Sequence, residues 1–262
     1  MAHLFLKQAK LYSESRPDYP EELFQFIASK TPHHDLVWDV GTGTGQAASS
    51  LAKIYKNVIA TDTSQKQLDF APKLSNVRYQ CTSAIMSDEE LESNVAKRAT
   101  VDLVTVGQAI HWFDFPSFYR QVKWVLKKPH GVIAAWCYTT PQVNEKVDFL
   151  FQQFYFVNAR PYWSPGRDLI VEKYVSIEFP FFPVDGAKNT GPFEFKTEKL
   201  MDFHRYLAYA KSTSAYQTAL EKGIDLLSED VIEEFRSAWY EDGNDLKVVQ
   251  FPVYLRIGKV EK

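Results

Sequence analysis

The chain has 262 residues, a formal net charge of −3 and 45% hydrophobic residues. This length fits one large domain or a domain with an insertion, and the slightly acidic charge gives no electrostatic reason to expect a nucleic-acid partner. Since no apolar run is long enough for a signal peptide or a membrane helix, we expect a cytoplasmic protein with no membrane partner.

The first half of the sequence alternates between strand and helix patterns. Helices are expected between the strands, among them an acidic helix from Ser87 and one over about residues 116–128. Continuous Val, Ile and Leu runs separated by helices indicate an α/β fold, with a parallel sheet covered on both faces. The predicted strands are LVWDV at 36–40, NVIATD at 57–62, VRYQCTS at 77–83, VDLVTVGQ at 101–108 and GVIAAWCY at 131–138.

The pattern changes after Pro141. We predict a helix with aromatic stripes over about residues 144–158, and helical stretches at 201–220 and 228–239. A passage rich in proline and phenylalanine lies between them, and the chain closes on a predicted strand, LKVVQFPVYLRIGKV. Without a flexible linker, we interpret the chain as one domain that carries an insertion.

The two cysteines, Cys81 and Cys137, each lie in a predicted strand. Because such strands are expected to be buried, we predict buried free thiols rather than a disulfide.

A glycine-rich loop, VWDVGTGTGQ, lies between the first strand and the first helix, where doubly wound sheets bind nucleotide-type ligands. Glycine at the first, third and sixth places would indicate a dinucleotide, but the sixth place here is Gln46. Asp39, ahead of the loop, disfavours a pyrophosphate and favours a cationic ligand. Asp62 ends the second strand, where a carboxylate accepts hydrogen bonds from ribose hydroxyls. The pattern therefore favours S-adenosylmethionine over a nicotinamide cofactor.

The segments DVGTGTGQ, ATD, QCTSAI and DLVTVGQAIHWFD resemble the class I S-adenosylmethionine-dependent methyltransferases, in the same order along the chain. Together, YSESRPDYP and QAIHWFD resemble the small-molecule branch that includes trans-aconitate methyltransferase. The resemblance implies a doubly wound, mostly parallel seven-stranded sheet with a helical cap insertion. It divides the chain into an N-terminal lid (1–30), a cofactor-binding core (31–140), a cap region (141–246) and a closing strand (247–262).

The resemblance also implies the cofactor site. Ser83 stands where the family often has Asp, so a hydroxyl or the backbone would meet the adenine amino group there. The residues expected to bind S-adenosylmethionine are Asp39, Gly41, Thr42, Gly43, Gly45, Asp62, Thr63, Ser83, Ala84 and Gln108.

The segment YSESRPDYP, at residues 12–20, corresponds to the part of the family that covers the cofactor. Its prolines reduce the entropy that a lid loses on ordering. Tyr12 and Tyr19 offer flat apolar faces, and Arg16 offers a forked cation for a carboxylate. We expect these three residues to contact the substrate, although an arm packed on the sheet remains an alternative.

His111 follows the fourth strand at the end where such sheets bind ligands, and it is the candidate catalytic residue. Trp112 and Tyr216 are candidate substrate contacts, but Thr213 replaces the family's usual tryptophan before the Ser-Ala pair. A carboxylate acceptor needs no base, whereas a hydroxyl acceptor does. We expect O-methylation of a small carboxylic acid. A hydroxyl or nitrogen acceptor, or a non-catalytic cofactor-binding protein, remains an alternative.

The remaining expectations concern metals and assembly. The six histidines are scattered and lack neighbouring cysteines, so no metal site is expected. The protein is expected to be a monomer or a weak homodimer.

Overall fold

The computed structural model describes residues 16–261. A seven-stranded sheet forms its centre. The strands are β1 (Leu36–Val40), β2 (Asn57–Asp62), β3 (Val77–Cys81), β4 (Leu103–Gly107), β5 (Val132–Tyr138), β6 (Phe193–Met201) and β7 (Lys247–Lys259).

The strand order in the sheet is β3-β2-β1-β4-β5-β7-β6. β1 pairs in parallel with β2 and β4, β2 with β3, and β4 with β5. β7 pairs antiparallel with β5, from Val132 opposite Lys259 to Tyr138 opposite Val253. This topology confirms the predicted doubly wound, mostly parallel seven-stranded sheet.

Ten α-helices are described, and the sequence marks the starts of several. Ser87 and Glu90 form a reciprocal capping box, as the acidic start of that helix predicted. The helices are α1 (Glu21–Ser29), α2 (Gln46–Leu51), α3 (Gln65–Leu68), α4 (Asp88–Asn94), α5 (Phe115–Val125), α6 (Glu145–Gln152), α7 (Arg167–Val171), α8 (Phe203–Lys211), α9 (Ser214–Glu221) and α10 (Glu229–Trp239).

Two compact units can be distinguished along the chain. The core unit comprises residues 19–138, 168–195 and 253–261, and the accessory unit comprises residues 16–18, 139–167 and 196–252. In the core unit every residue of β5 is buried, as expected for a strand covered on both faces. In the accessory unit the buried aromatic side chains include Phe151, Phe154, Tyr206, Trp239 and Phe251.

Some elements differ from the sequence-based expectations. β6 was not predicted, because its alternating buried and exposed residues lie in a passage that looks irregular. The stretch at 201–220 is divided into α8 and α9 at Ser212 and Thr213. The predicted helix at 144–158 starts at Glu145 and continues beyond Gln152 as a π-helical segment, Gln153–Asn158.

Both cysteines are free, but only Cys137 is buried. The prediction that Cys81 is buried was wrong, because it ends β3, the outermost strand on its side of the sheet. An outer strand has a neighbour on one side only, so its last side chain reaches solvent.

Candidate functional site

The glycine loop connects β1 to α2 in the core unit. Gly41, Gly43 and Gly45 all have positive φ, at +66°, +59° and +81°. A Cβ on Gly41 would lie 2.7 Å from the Cβ of Ala109, and one on Gly45 would lie 2.6 Å from the hydroxyl of Tyr79. Both the backbone conformation and the close neighbours therefore require glycine.

Asp62, at the end of β2, is bonded to this loop. Its Oδ2 accepts a 2.8 Å hydrogen bond from the backbone N–H of Gly43, and its Oδ1 accepts one of 2.8 Å from the N–H of Ser64. Since an ionised carboxylate offers about four acceptor positions, each oxygen can still accept from a ligand hydroxyl.

Asp39 lies beneath the loop rather than on its surface and is only 1% exposed. Its two oxygens accept hydrogen bonds from the hydroxyls of Thr42 (2.6 Å) and Thr105 (2.7 Å). Burial raises the pKa of Asp39 to about 6, against the opposing effect of the two hydroxyls. The expected attraction between Asp39 and a cationic ligand would thus act from below the loop.

Gln108 follows β4 with a φ of +56°, which is uncommon for a residue other than glycine. Its Nε2 donates to the carbonyl of Tyr138 at 3.2 Å. Within the described part of the chain, the buried Oε1 of Gln108 and the buried Nε1 of Trp136 have no hydrogen-bond partner. The carboxyl end of β4 and β5 therefore holds one unsatisfied acceptor and one unsatisfied donor.

These features fit an amino-acid nucleoside. Gln108, at the carboxyl end of β4, could hold the methionyl end of such a ligand. The remaining acceptor positions of Asp62 match two ribose hydroxyls, and the glycine loop lets a ligand approach the backbone. The core unit thus offers partners for the parts of S-adenosylmethionine.

Thr63, Ser83 and Ala84 are exposed and lie just after β2 and β3. Gln121 of α5 holds the second of these loops, since its Oε1 accepts from the N–H of Met86 at 3.1 Å and its Nε2 donates to the carbonyl of Ala84 at 3.4 Å. Sequence reasoning did not identify Gln121, whose role depends on a contact between segments far apart in the chain.

His111 lies in a short 3₁₀-helix, Ile110–Trp112, just beyond β4. Its Nδ1 is 3.0 Å from the hydroxyl of Tyr174, and its ring lies 5.0 Å from that of Trp112. Trp112 is 58% exposed, so most of its surface is accessible to a ligand.

The two described substrate-contact candidates in the predicted lid, Arg16 and Tyr19, belong to different units. In the core unit, the ring of Tyr19 packs edge-on against Trp136, with 5.3 Å between the centroids. In the accessory unit, Arg16 donates to the carbonyl of Ser212 at 2.9 Å and stacks over Tyr209. Tyr12 lies outside the described residues.

Tyr216 is buried in the accessory unit. Its hydroxyl donates to the carboxylate of Asp225 at 3.0 Å. Burial and this carboxylate raise the pKa of Tyr216 to about 12. The predicted contact between Tyr216 and a substrate would need this side chain to reach the ligand from within the unit's core.

Residues 16–261 contain neither a metal-binding cluster nor a membrane-spanning helix. No group of three or more His, Cys, Asp or Glu side chains could hold a metal ion. No helix there is both long and apolar enough to cross a membrane.

Comparison with known proteins identifies similar sequences. Residues 38–135 match the family described as methyltransferase domain. A Dictyostelium discoideum protein named as a methyltransferase is 32% identical, and the match covers 97% of this chain and 93% of that protein. A Saccharomyces cerevisiae protein named as an S-adenosylmethionine-dependent methyltransferase is 34% identical, but the match covers only 53% of this chain and 47% of that protein.

Comparison with solved structures agrees. A structure from Anaeromyxobacter dehalogenans, described as a type II methyltransferase, is 27% identical and superposes with a TM-score of 0.78. The superposition covers 94% of this chain and 99% of that one, so the likeness extends over both units and not only over the matched domain.

Proposed function

Because this chain belongs to the methyltransferase family and uses S-adenosylmethionine as its cofactor, we propose that it methylates a carboxylate oxygen of a small organic acid. The cofactor supplies a methyl group on a sulfonium, so a carboxylate oxygen can form the new O–C bond as the S–C bond breaks and its electron pair remains on sulfur. No proton has to be removed from such an acceptor at neutral pH.

In this proposal the core unit binds and orients the cofactor. Asp62 accepts from the ribose hydroxyls while it holds the loop through Gly43. Gln108, just beyond β4, would approach the methionyl end, with its Nε2 bonded to the carbonyl of Tyr138. The exposed loop of Ser83 and Ala84, just after β3, would receive the adenine. These contacts would place the methyl group near the carboxyl end of β4.

One observation carries the choice of a carboxylate acceptor. The Nδ1 of His111 is bonded to the neutral phenol of Tyr174, at 3.0 Å. In the catalytic dyads that use histidine as a base, a carboxylate on this nitrogen stabilises the imidazolium that forms. A phenol gives no such stabilisation, which favours a reaction without proton abstraction. The resemblance to the branch that contains trans-aconitate methyltransferase points in the same direction.

A second candidate is methylation of a hydroxyl or nitrogen acceptor. It is favoured by the position of His111 at the carboxyl end of β4, within reach of a ligand that binds at this edge of the sheet. In that case His111 would take the acceptor's proton.

The two candidates differ in substrate range and pH dependence. We would measure methyl release over a panel of small carboxylic acids, phenols, alcohols and amines, with saturating cofactor, from about pH 7 to 9. A carboxylate acceptor predicts a nearly flat rate, because a group with a reference pKa near 4 is already ionised. A rate on phenols or alcohols that rises with pH, and loses this rise in His111→Ala, would establish the second candidate.

A further inference from the structure

Tyr174, the partner of His111, is held in an unusual conformation. It follows α7 in the core unit, is fully buried, and has a φ of +59°. A bulky residue at positive φ is a genuine outlier. Lys173, just before it, has the same φ of +59°. Two consecutive residues of this kind cost free energy, and such strain persists only where the surrounding structure determines it.

Arg256 of β7 is the group that holds this turn. Its Nη1 donates to the carbonyl of Tyr174 at 2.7 Å and lies 3.3 Å from that of Val175. Its Nη2 donates to the hydroxyl of Thr190 at 3.0 Å. Arg256 is only 8% exposed, and hydrogen bonds from a buried guanidinium are stronger than those between neutral groups. The phenol of Tyr174 is therefore fixed from its backbone side.

The direction of the hydrogen bond between Tyr174 and His111 follows from their chemistry. A phenol, with a reference pKa near 10, is a better donor than a neutral imidazole N–H, and an imidazole nitrogen is a better acceptor than a phenol oxygen. These preferences favour a bond in which the hydroxyl donates to Nδ1. In a neutral imidazole only one nitrogen carries a proton, and the bond made by the other decides which one. Nε2 is then the protonated nitrogen.

We propose that Tyr174 is a positioning residue that keeps His111 in the Nε2–H tautomer, so that His111 meets the methyl acceptor as a hydrogen-bond donor and not as a base. The inference rests on the proposed function, which places the acceptor at this end of the sheet. It assigns a carboxylate as the methyl acceptor, because a carboxylate oxygen can accept a hydrogen bond from Nε2–H.

This role predicts a particular kinetic effect. A carboxylate oxygen loses negative charge as it is methylated, so a hydrogen bond to it is no stronger in the transition state than in the bound substrate. Losing the donor should raise the KM for the acceptor and leave kcat nearly unchanged. Losing a base would instead lower kcat.

The first test measures the tautomer directly. In protein labelled with ¹⁵N in histidine, with the His111 signals assigned from their loss in His111→Asn, we expect a protonated Nε2 and an unprotonated Nδ1. In Tyr174→Phe, the two shifts should move towards the average of an exchanging ring. The matched control is Tyr55→Phe, which removes the buried hydroxyl of a core-unit tyrosine that precedes β2. It should leave the His111 shifts unchanged. A protonated Nδ1 in the parent protein, or unchanged shifts in Tyr174→Phe, would overturn the inference whatever the activity.

The second test uses the most active acceptor from the panel. Tyr174→Phe should raise its KM by about twofold, because a ring that exchanges equally between the two tautomers carries the Nε2 proton half of the time. His111→Phe, which removes the donor itself, should raise the KM about 3- to 10-fold, the effect of one lost hydrogen bond. In both variants kcat should stay nearly unchanged. Tyr55→Phe should change neither. If the tautomer changes in Tyr174→Phe but kcat falls instead of KM rising, the carboxylate proposal and the donor role fail together.

Discussion

The carboxylate of Asp62 and the backbone N–H of Gly43 are joined by a 2.8 Å hydrogen bond. This bond connects the end of β2 to the loop that follows β1, so the carboxylate that would accept the ribose hydroxyls also fixes the loop beside it. Cofactor affinity and loop conformation therefore depend on the same side chain.

Asp62→Ala should weaken S-adenosylmethionine binding by about 1.5–3 kcal/mol, the range for hydrogen bonds to a charged group. Isothermal titration measures this change. The fold should survive, because Asp62 lies at a strand end and is not fully buried. Asp185→Ala is the control, since it removes an exposed carboxylate that pairs with Lys259 on the same unit. Unchanged affinity in folded Asp62→Ala protein would remove the ribose assignment.

Gly41→Ala should impair the loop through a steric contact. The new Cβ would lie 2.7 Å from that of Ala109, so the loop must shift. Gly186→Ala is a matched control, because Gly186 has a similar φ of +78° and its Cβ would meet only Lys30 Nζ, at 3.6 Å. We expect both variants to lose about 1–2 kcal/mol of stability from backbone strain. Only Gly41→Ala should also bind the cofactor more weakly. Equal cofactor affinities of the two variants would show that the cofactor does not approach the loop closely at Gly41.

The raised pKa of Asp39, about 6 in the folded protein against a usual value of 3.8, makes stability depend on pH. Between these values the folded protein binds more protons than the unfolded chain, so the free energy of unfolding falls as pH rises from about 4 to 6. Asp39→Asn should lack this contribution, which amounts to about 3 kcal/mol. Denaturant titrations of both proteins at several pH values give the difference, and parallel curves would contradict the prediction.

Thr105→Val should change the pH dependence of stability in the direction opposite to Asp39→Asn. It removes one hydroxyl that stabilises the ionised Asp39. The pKa of Asp39 should therefore rise further, and the loss of stability should extend to higher pH than in the parent protein.

The lid hypothesis predicts that activity depends on the N-terminal segment more than stability does. Deleting residues 1–18 keeps Tyr19, which packs against Trp136, but removes Arg16. We expect the melting temperature to change by about 2–4 °C, as for one modest contact, while kcat/KM falls much further. If the truncated chain fails to fold, the segment is structural and the alternative of a packed arm is correct.

The parallel part of the sheet could be predicted because its strands carry a strong local signal. LVWDV and NVIATD are short segments built around Val, Ile, Leu and Trp, and the structure places β1 and β2 at the predicted bounds. β6 could not be predicted in the same way. Its sequence, FEFKTEKLM, alternates buried and exposed residues at the outer edge of the sheet, next to proline and glycine. Edge strands need fewer apolar residues, so the signal for them is weaker.

Prediction of the candidate site from the sequence was limited in a similar way. The positions of Gly41, Gly43 and Gly45 follow from their spacing, but the partners of the polar groups do not. Asp39 is bonded to Thr105, and His111 to Tyr174, both more than 60 positions away in the chain. Such pairs depend on strand register and on a strained turn, which leave no pattern in the local sequence.

The antiparallel strand β7 has a consequence for how the protein is made. β5 ends at Tyr138, yet the strand that pairs with its second edge begins only at Lys247. While the intervening chain is being synthesised on the ribosome, the edge of β5 carries unpaired N–H and C=O groups beside apolar side chains. An edge of this kind is a template for association with another chain. The nascent protein is therefore most vulnerable to aggregation before its last strand emerges, and slower synthesis of the intervening region prolongs that interval.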